Sequence, residues 1–246
     1  MLYLITNRRA FLRSPEITQA DAARLQIETI DRAAQAGCQL IQIREKDLSA
    51  KTLSEFTRAA IICARPRGAR VLVNDRFDVA IAAGADGVHL RATSIPVREI
   101  RGVTESKGLS DFLIGVSTHS IAEAKLAEEG GADFIVCGPV YDTPSKRAFG
   151  APLGLELFAE ICDAVKIPAL ALGGINLSNY PEPLRRGASG VAAVSLFTDP
   201  DRLEQNIQVV LSDQRPSGTS VSIPFPGRSV IAVHQRNQVF FHRQNE

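Results

Sequence analysis

Short runs of aliphatic and β-branched residues recur along the chain, with longer Ala-, Leu- and Glu-rich stretches between them. The runs are LYLI (2–5), CQLIQIR (38–44), RVLV (70–73), DGVHL (86–90), FLIGV (112–116), DFIVCG (133–138), PALAL (168–172) and SGVAAVS (189–195). Most are nearly continuous apolar stretches rather than alternations, as expected of parallel strands whose outer face is covered by helices. Segments 20–36, 50–64, 120–129, 154–164 and 199–211 have the length and composition of amphipathic helices. The pattern also echoes itself. AQAGCQLI, AAGADGVH, EEGGADFI and RRGASGVA each end a helix on glycine, at Gly37, Gly84, Gly131 and Gly187, and open a strand two or three residues later. Glycine there supplies the left-handed turn that feeds the next strand. Separations of 47, 47 and 56 residues suit two βα units each. Eight strands in four similar pairs predict a (β/α)8 TIM barrel over residues 1–211, with an open doubly wound sheet as the alternative. Residues 212–246 turn to Ser, Pro, Gly, Arg, Gln and Asn without helical period. They read as a poorly ordered C-terminal extension, with VSIPF and SVIAV as short extended pieces.

Composition narrows the function classes. A chain of 246 residues with 45% hydrophobic positions is long for one ordinary domain but suits an α/β barrel. With 28 basic and 27 acidic residues, a net charge of +1 provides no general field for nucleic acid or an anionic membrane. Cys38, Cys63, Cys137 and Cys162 lie far apart without a CxxC pair. That argues against a zinc site or disulfide framework and for reduced thiols in the cytoplasm. No apolar run reaches the roughly 18 residues of a membrane span, and MLYLITNRR has the wrong order for a signal peptide. Small molecules are the expected partners, and a homo-oligomer is left open.

In a barrel the reacting groups sit at the carboxyl ends of the strands. The period of two in Gln42-Ile43-Arg44-Glu45-Lys46 puts Gln42, Arg44 and Lys46 on one face and Ile41, Ile43 and Glu45 on the other. Two cations on an inward face call for an anion, unless Lys46 lies in the loop and Arg44 pairs with a neighbouring carboxylate. Asn74 and Asp75 end the third strand and suit a phosphate-bound Mg²⁺, or an ordinary turn and helix cap. GVSTHS ends the fifth, offering Ser117 and Thr118, His119 as an acid or base or a plain loop residue, and Ser120 as a helix cap completed by Glu123. After the sixth strand, Thr143, Ser145 and Lys146 offer two hydroxyls and a cation in a loop stiffened by Pro139 and Pro144. Gly173 and Gly174 after the seventh strand, with Ser195 at the end of the eighth, suit a backbone phosphate cradle or a tight turn. Two separate anion sites in one mouth suggest two phosphorylated substrates or one bisphosphate.

QIREK, NDRFDVAIAAGADGVHL, GVSTHS with Glu123-Ala124, GPVYDTPSK, and IPALALGGIN followed by GASGVAAVS resemble the thiamine phosphate synthase and thiazole tautomerase superfamily over about residues 2–200. The resemblance implies a TIM barrel and a role in thiamine assembly. For the synthase branch it implies joining hydroxymethylpyrimidine diphosphate to thiazole phosphate, with Mg²⁺, release of diphosphate and passage through a pyrimidine carbocation. Carried over, Gln42, Arg44 and Lys46 hold the pyrimidine diphosphate, and Asn74, Ser117 and Lys146 contact the same substrate. Arg44, Lys46, Lys146 and His119 become the catalytic set. Asp75 binds Mg²⁺; Thr143 and Ser145 contact the thiazole phosphate, whose phosphate Gly174, Val194 and Ser195 cradle. The family pattern HLGQxD reads His89-Leu90-Arg91-Ala92-Thr93-Ser94 here, so Ser94 replaces the second Mg²⁺ carboxylate and Arg91 adds positive charge. Serine at that place is similar to the tautomerase branch, an isomerase that uses a histidine in the motif matched by His119. The remaining matches are of synthase type. A non-catalytic phosphate-ligand barrel is the third alternative.

Overall fold

Strand and helix alternate through the computed structural model, which describes residues 1–143 and 150–213. The strands are β1 Leu2–Ile5, β2 Leu40–Ile43, β3 Arg70–Asn74, β4 Gly87–Leu90, β5 Leu113–Thr118, β6 Phe134–Cys137, β7 Ala169–Leu172 and β8 Gly190–Ala193. Between and after them run α1 Gln19–Gln35, α2 Ala50–Ala64, α3 Phe77–Ala83, α4 Val97–Ser106, α5 Ile121–Glu129, α6 Gly154–Ala164, α7 Pro181–Arg185 and α8 Leu203–Asp213. Each strand pairs in parallel with the next, and β8 returns to β1 through Leu2 beside Val191. That pairing closes the (β/α)8 barrel and excludes the open sheet.

Why the strands are apolar on both faces is clear from what each face meets. Leu4, Ile41, Val71, Val88 and Ile135 point outward and pack with helix residues such as Ile30, Phe56 and Phe158. The opposite faces contribute Tyr3, Leu40, Leu72, Leu113, Phe134 and Leu170 to a second, central cluster. Gly115 belongs to that inner face and must lack a side chain: a Cβ there would lie 2.4 Å from Phe134 Cζ. Phe134 fills the space instead and meets Tyr3 edge-on, with ring centroids 5.6 Å apart.

The four echoing glycines take φ values of 99° (Gly37), 71° (Gly84), 90° (Gly131) and 95° (Gly187), in keeping with their helix-ending role. At the helix starts, Thr18 and Asp21 form a reciprocal capping box on α1, and Ser49 accepts from Thr52 N on α2. The helices α3, α4 and α7 and a 3-10 segment at Arg8–Arg13 occupy stretches to which the periodicity assigns no element. α8 starts at Leu203, later than expected, and continues through Asp213, whose carboxylate accepts from Tyr180 Oη at 2.6 Å. The rest of the C-terminal extension, 214–246, lies outside the described residues.

A buried ion pair fixes the exit of β2. Glu45, 4% exposed, points outward and accepts from Arg8 Nη1 at 3.0 Å. The same guanidinium grips Asp47 through two bonds of 2.7 and 2.8 Å. On the same stretch Arg44 N donates to Thr6 Oγ1 at 2.9 Å, tying the end of β2 to β1.

Candidate functional site

The alternation along β2 holds. Leu40 belongs to the central cluster and Ile41 and Ile43 to the outer one, so Gln42 and then Arg44 are aimed inward. Gln42 is buried and Arg44 half-buried at the barrel's carboxyl end. The nearby carboxylate Glu45 is taken by Arg8, not Arg44, and Arg44 has no ion-pair partner among the described residues. Lys46 lies in the turn that follows, exposed, and its charge acts on Asp75. On the next strands, Asn74 stands beside His89 in register, and Ser117 is the last inward position of β5. Gln42, Arg44, Asn74 and Ser117 thus come from the ends of β2, β3 and β5, on one side of the mouth.

Asp75 directly follows Asn74 at φ 63°, a left-handed conformation that aspartate tolerates better than most residues. Both of its carboxylate oxygens are engaged. Ser94 Oγ donates to Oδ1, while Arg91 Nε and Nη2 reach Oδ2 at 2.9 and 2.6 Å. Ser94 Oγ also accepts from Arg91 N at 2.9 Å, which folds the β4–α4 loop back on itself. Partial burial pushes the Asp75 carboxyl up, but the bonds from Ser94 and Arg91 and the charges of Arg91 and Lys46 outweigh it. The net effect holds Asp75 below the ordinary carboxylate range. A resident Mg²⁺ prefers free hard oxygens in octahedral array. Here the carboxylate is already neutralised by a guanidinium, and Ser94 turns its proton to Asp75. Among the described residues no cluster of three or more His, Cys, Asp or Glu side chains could hold a metal. The donor set therefore does not fit a Mg²⁺ ion held by the protein itself.

Behind this rim lies a polar group that the motif reading left without a role. His89, 3% exposed, sits inside the barrel with its ring 5.7 Å from that of Tyr3 and 6.2 Å from that of Phe134. Its Nε2 lies 2.8 Å from Ser117 Oγ and its Nδ1 3.3 Å from Tyr3 Oη. Burial, reinforced by the Arg44 charge and opposed by Asp75, pushes the imidazole down to about 3. Tyr3 is pushed up by burial and then by Cys38, so the phenol stays protonated. The signal that would have marked His89 is parity: it falls on the same inward face as Gln42, Asn74 and Ser117.

The other side of the mouth is built from backbone. Gly173 and Gly174 follow β7 at φ 99° and 69°. A Cβ on Gly173 would lie 2.5 Å from Pro139 Cα, and one on Gly174 2.7 Å from Tyr141 Cβ. The two loops approach so closely that only glycine fits. After β8, Val194 precedes a 3-10 turn at Ser195–Phe197, with Ser195 exposed. A helical start of this kind presents backbone N–H groups without intrahelical partners. Thr143 lies half-buried at the end of the described β6–α6 segment; Ser145 and Lys146 lie outside the described residues.

His119 is not gathered with the inward groups. Its side chain is 51% exposed and its Nδ1 lies 3.2 Å from Glu123 Oε2. The expected capping box on α5 is formed differently. Ser120 does accept from Glu123 N at 3.2 Å, but the Glu123 carboxylate passes Ser120 and accepts from His119 N at 2.7 Å. The longer reach satisfies an N–H one residue earlier and draws His119 toward the helix.

Comparison with known proteins identifies the family. The chain is 42% identical over 178 residues to the thiamine-phosphate synthase of Methanoculleus marisnigri, covering 72% of this chain and 79% of that one. It is 34% identical over 215 residues to the thiamine-phosphate synthase of a Roseiflexus species, covering 86% and 85%. The structure of thiamine phosphate pyrophosphorylase from Pyrococcus furiosus superposes with a TM-score of 0.71 at 31% identity, over 86% of this chain and 93% of that one. The model of the thiamine monophosphate synthase family matches residues 2–197. On barrel, site and similarity together, the chain belongs to the thiamine monophosphate synthase family.

Proposed function

We propose that this protein joins a hydroxymethylpyrimidine diphosphate to a thiazole phosphate and releases diphosphate. The observation that carries the reading is the inward set Gln42, Arg44, Asn74 and Ser117 at the ends of β2, β3 and β5. In that set Arg44 has no carboxylate partner among the described residues, beside a rim that also carries Lys46 and Arg91. In the reaction, the C–O bond between the pyrimidine methylene and the diphosphate breaks, and its electron pair stays on the leaving oxygen. The thiazole nitrogen then supplies the pair for the new C–N bond, so no proton has to move. Negative charge gathers on the diphosphate as the bond breaks, and fixed positive charge stabilises that change most. Arg44 and Lys46 are the groups placed for it, with Asn74 and Ser117 hydrogen-bonding the same substrate.

Gly174, Val194 and Ser195 cradle the thiazole phosphate, with Thr143 and Ser145 contacting that substrate and Lys146 adding charge to the diphosphate. A Mg²⁺ accompanying the diphosphate would add positive charge to the leaving group, with Asp75 the residue that would approach it, while Arg91 supplies the positive charge held at Asp75. His119, bonded to Glu123, serves at the rim and not as the acid or base that an isomerase would need. The reaction belongs to the cytoplasm, in keeping with Cys38, Cys63, Cys137 and Cys162 all being free thiols. Residues 1–213 are the catalytic unit and the remainder is an appendage to it.

The test is diphosphate release on mixing the protein with both substrates, with and without Mg²⁺. Release coupled to formation of thiamine phosphate supports the reading. A folded protein that binds either substrate without releasing diphosphate refutes it and favours a binding-only barrel.

A further inference from the structure

The buried imidazole of His89 is a neutral group between two hydroxyls. It lies among Tyr3 and Phe134 in the barrel centre, with Arg44 close enough for its charge to disfavour protonation further. A neutral ring carries one N–H and one bare nitrogen, so only two arrangements of the chain Tyr3–His89–Ser117 exist. In one, Tyr3 donates to Nδ1, and Nε2–H donates to Ser117 Oγ. In the other both bonds run in reverse.

Tyr3 decides between them. Its side chain is fully buried, and among the described residues its hydroxyl has His89 as its one hydrogen-bond partner. If Nδ1 donated to Tyr3, the phenol proton would be left in the barrel centre without an acceptor, which proteins avoid more strictly than an unused lone pair. Tyr3 therefore donates, Nδ1 is bare and Nε2 carries the hydrogen. Ser117 Oγ must then accept from below, at 2.8 Å, which leaves its own O–H to turn toward the mouth. Every exposed oxygen of a diphosphate is an acceptor. The reverse arrangement would point a serine lone pair at it.

We propose that Tyr3 and His89 are positioning residues that hold Ser117 as a hydrogen-bond donor aimed at the oxygens of a bound diphosphate. The inference deepens the function proposed above and rests on it for the identity of the ligand. Its specific content is a direction of hydrogen bonding through the barrel core, from Tyr3 within β1 to Ser117 near the end of β5.

The experiment combines nitrogen NMR of ¹⁵N-histidine-labelled protein with calorimetric titration of inorganic pyrophosphate. The His89 ring is expected to show a protonated Nε2 and a bare Nδ1 across the neutral pH range. Tyr3→Phe, His89→Leu and Ser117→Ala should each weaken pyrophosphate binding about tenfold, the worth of one charge-assisted hydrogen bond. His89→Leu combined with Ser117→Ala should bind no more weakly than Ser117→Ala alone. A merely structural role for His89 would make the two losses multiply. His89→Gln offers an acceptor and a donor to the same two partners and should stay within about threefold of the parent protein. If His89→Leu does not fold, the same cycle run with Tyr3→Phe gives the answer. A protonated Nδ1, or losses that multiply, overturns the relay, and so does a parent protein that does not bind pyrophosphate. Failure of the function itself shows separately, as pyrophosphate binding and the expected tautomer without diphosphate release from the pyrimidine substrate.

Discussion

In the proposed function, two sides of one barrel mouth handle negative charge by different means. Along β2 to β5 the proposed binding groups are side chains, and the strands position them by alternation: Gln42, Arg44, Asn74 and Ser117 all fall on inward positions. Around β7 and β8 the groups are backbone, brought close by Gly173 and Gly174 and by the 3-10 turn at Ser195–Phe197. Side chains can place full charge where bonds break, and backbone N–H groups can enclose an anion that only needs to be held. The contrast matches a leaving diphosphate on one side and a passive phosphate on the other.

The contrast can be broken most directly at Arg44. Arg44→Ala should lower the rate of diphosphate release about 100-fold or more while leaving the melting temperature near that of the parent. A loss under about threefold would remove the charge argument for β2. The backbone side is tested by Gly174→Ala, whose new Cβ meets Tyr141 Cβ at 2.7 Å in a left-handed conformation. The expected result is a KM for thiazole phosphate raised about tenfold and stability lowered by about 1–3 kcal/mol, with the KM for pyrimidine diphosphate unchanged. Equal rises in both KM values would mean that the sides do not act separately.

Arg91→Ala sharpens the side-chain half further. Calorimetry with a chelator present should show pyrophosphate affinity down about threefold to tenfold. Adding Mg²⁺ should then strengthen binding more in the variant than in the parent, because Asp75 is released from its guanidinium. Identical Mg²⁺ responses would show that Arg91 does not offset the metal.

The remaining effect is on stability and its pH dependence. His89 takes up no proton in the folded protein until about pH 3, whereas an unfolded histidine does so near 6.5. Across that window the unfolded chain binds the extra proton, so stability rises with pH and is lost as pH falls from the upper limit to the lower. The slope from this one group is at most about 1.4 kcal/mol per pH unit. Denaturant melts of His89→Gln should show a shallower slope by that amount, and an unchanged slope would mean that His89 is already protonated in the fold.

Much of this was legible before any coordinates. Nearly continuous apolar runs marked most strands, since both faces of a barrel strand are buried, and the helix-ending glycines marked four of the joins. The inward placement of Gln42 and Arg44 followed from alternation alone. Short helices did not reveal themselves: α3 has seven residues and α7 five, too few to establish a period. In α4 only Val97, Ile100 and Thr104 are buried, and Gly102 interrupts the stretch. His89 stayed hidden for another reason. A lone histidine within an apolar run names no partner, and its partners Tyr3 and Ser117 stand on strands 86 and 28 residues away in sequence. Likewise, the clasp of Arg91 on Asp75 joins two loops whose proximity only the closed barrel supplies.

The ion pair of Arg8 with Glu45 lies on the outer side of the exit of β2. Yet Glu45 is the next residue after Arg44, and strand geometry ties the outward aim of one to the inward aim of the other. Loss of either partner would strand a buried charge and loosen the exit of the strand. A mutational screen scored on turnover alone would therefore count Arg8 and Glu45 among the active-site residues, although both are buried and paired with each other. Only a parallel screen for abundance or thermal resistance would sort the ruler from the tool it aligns.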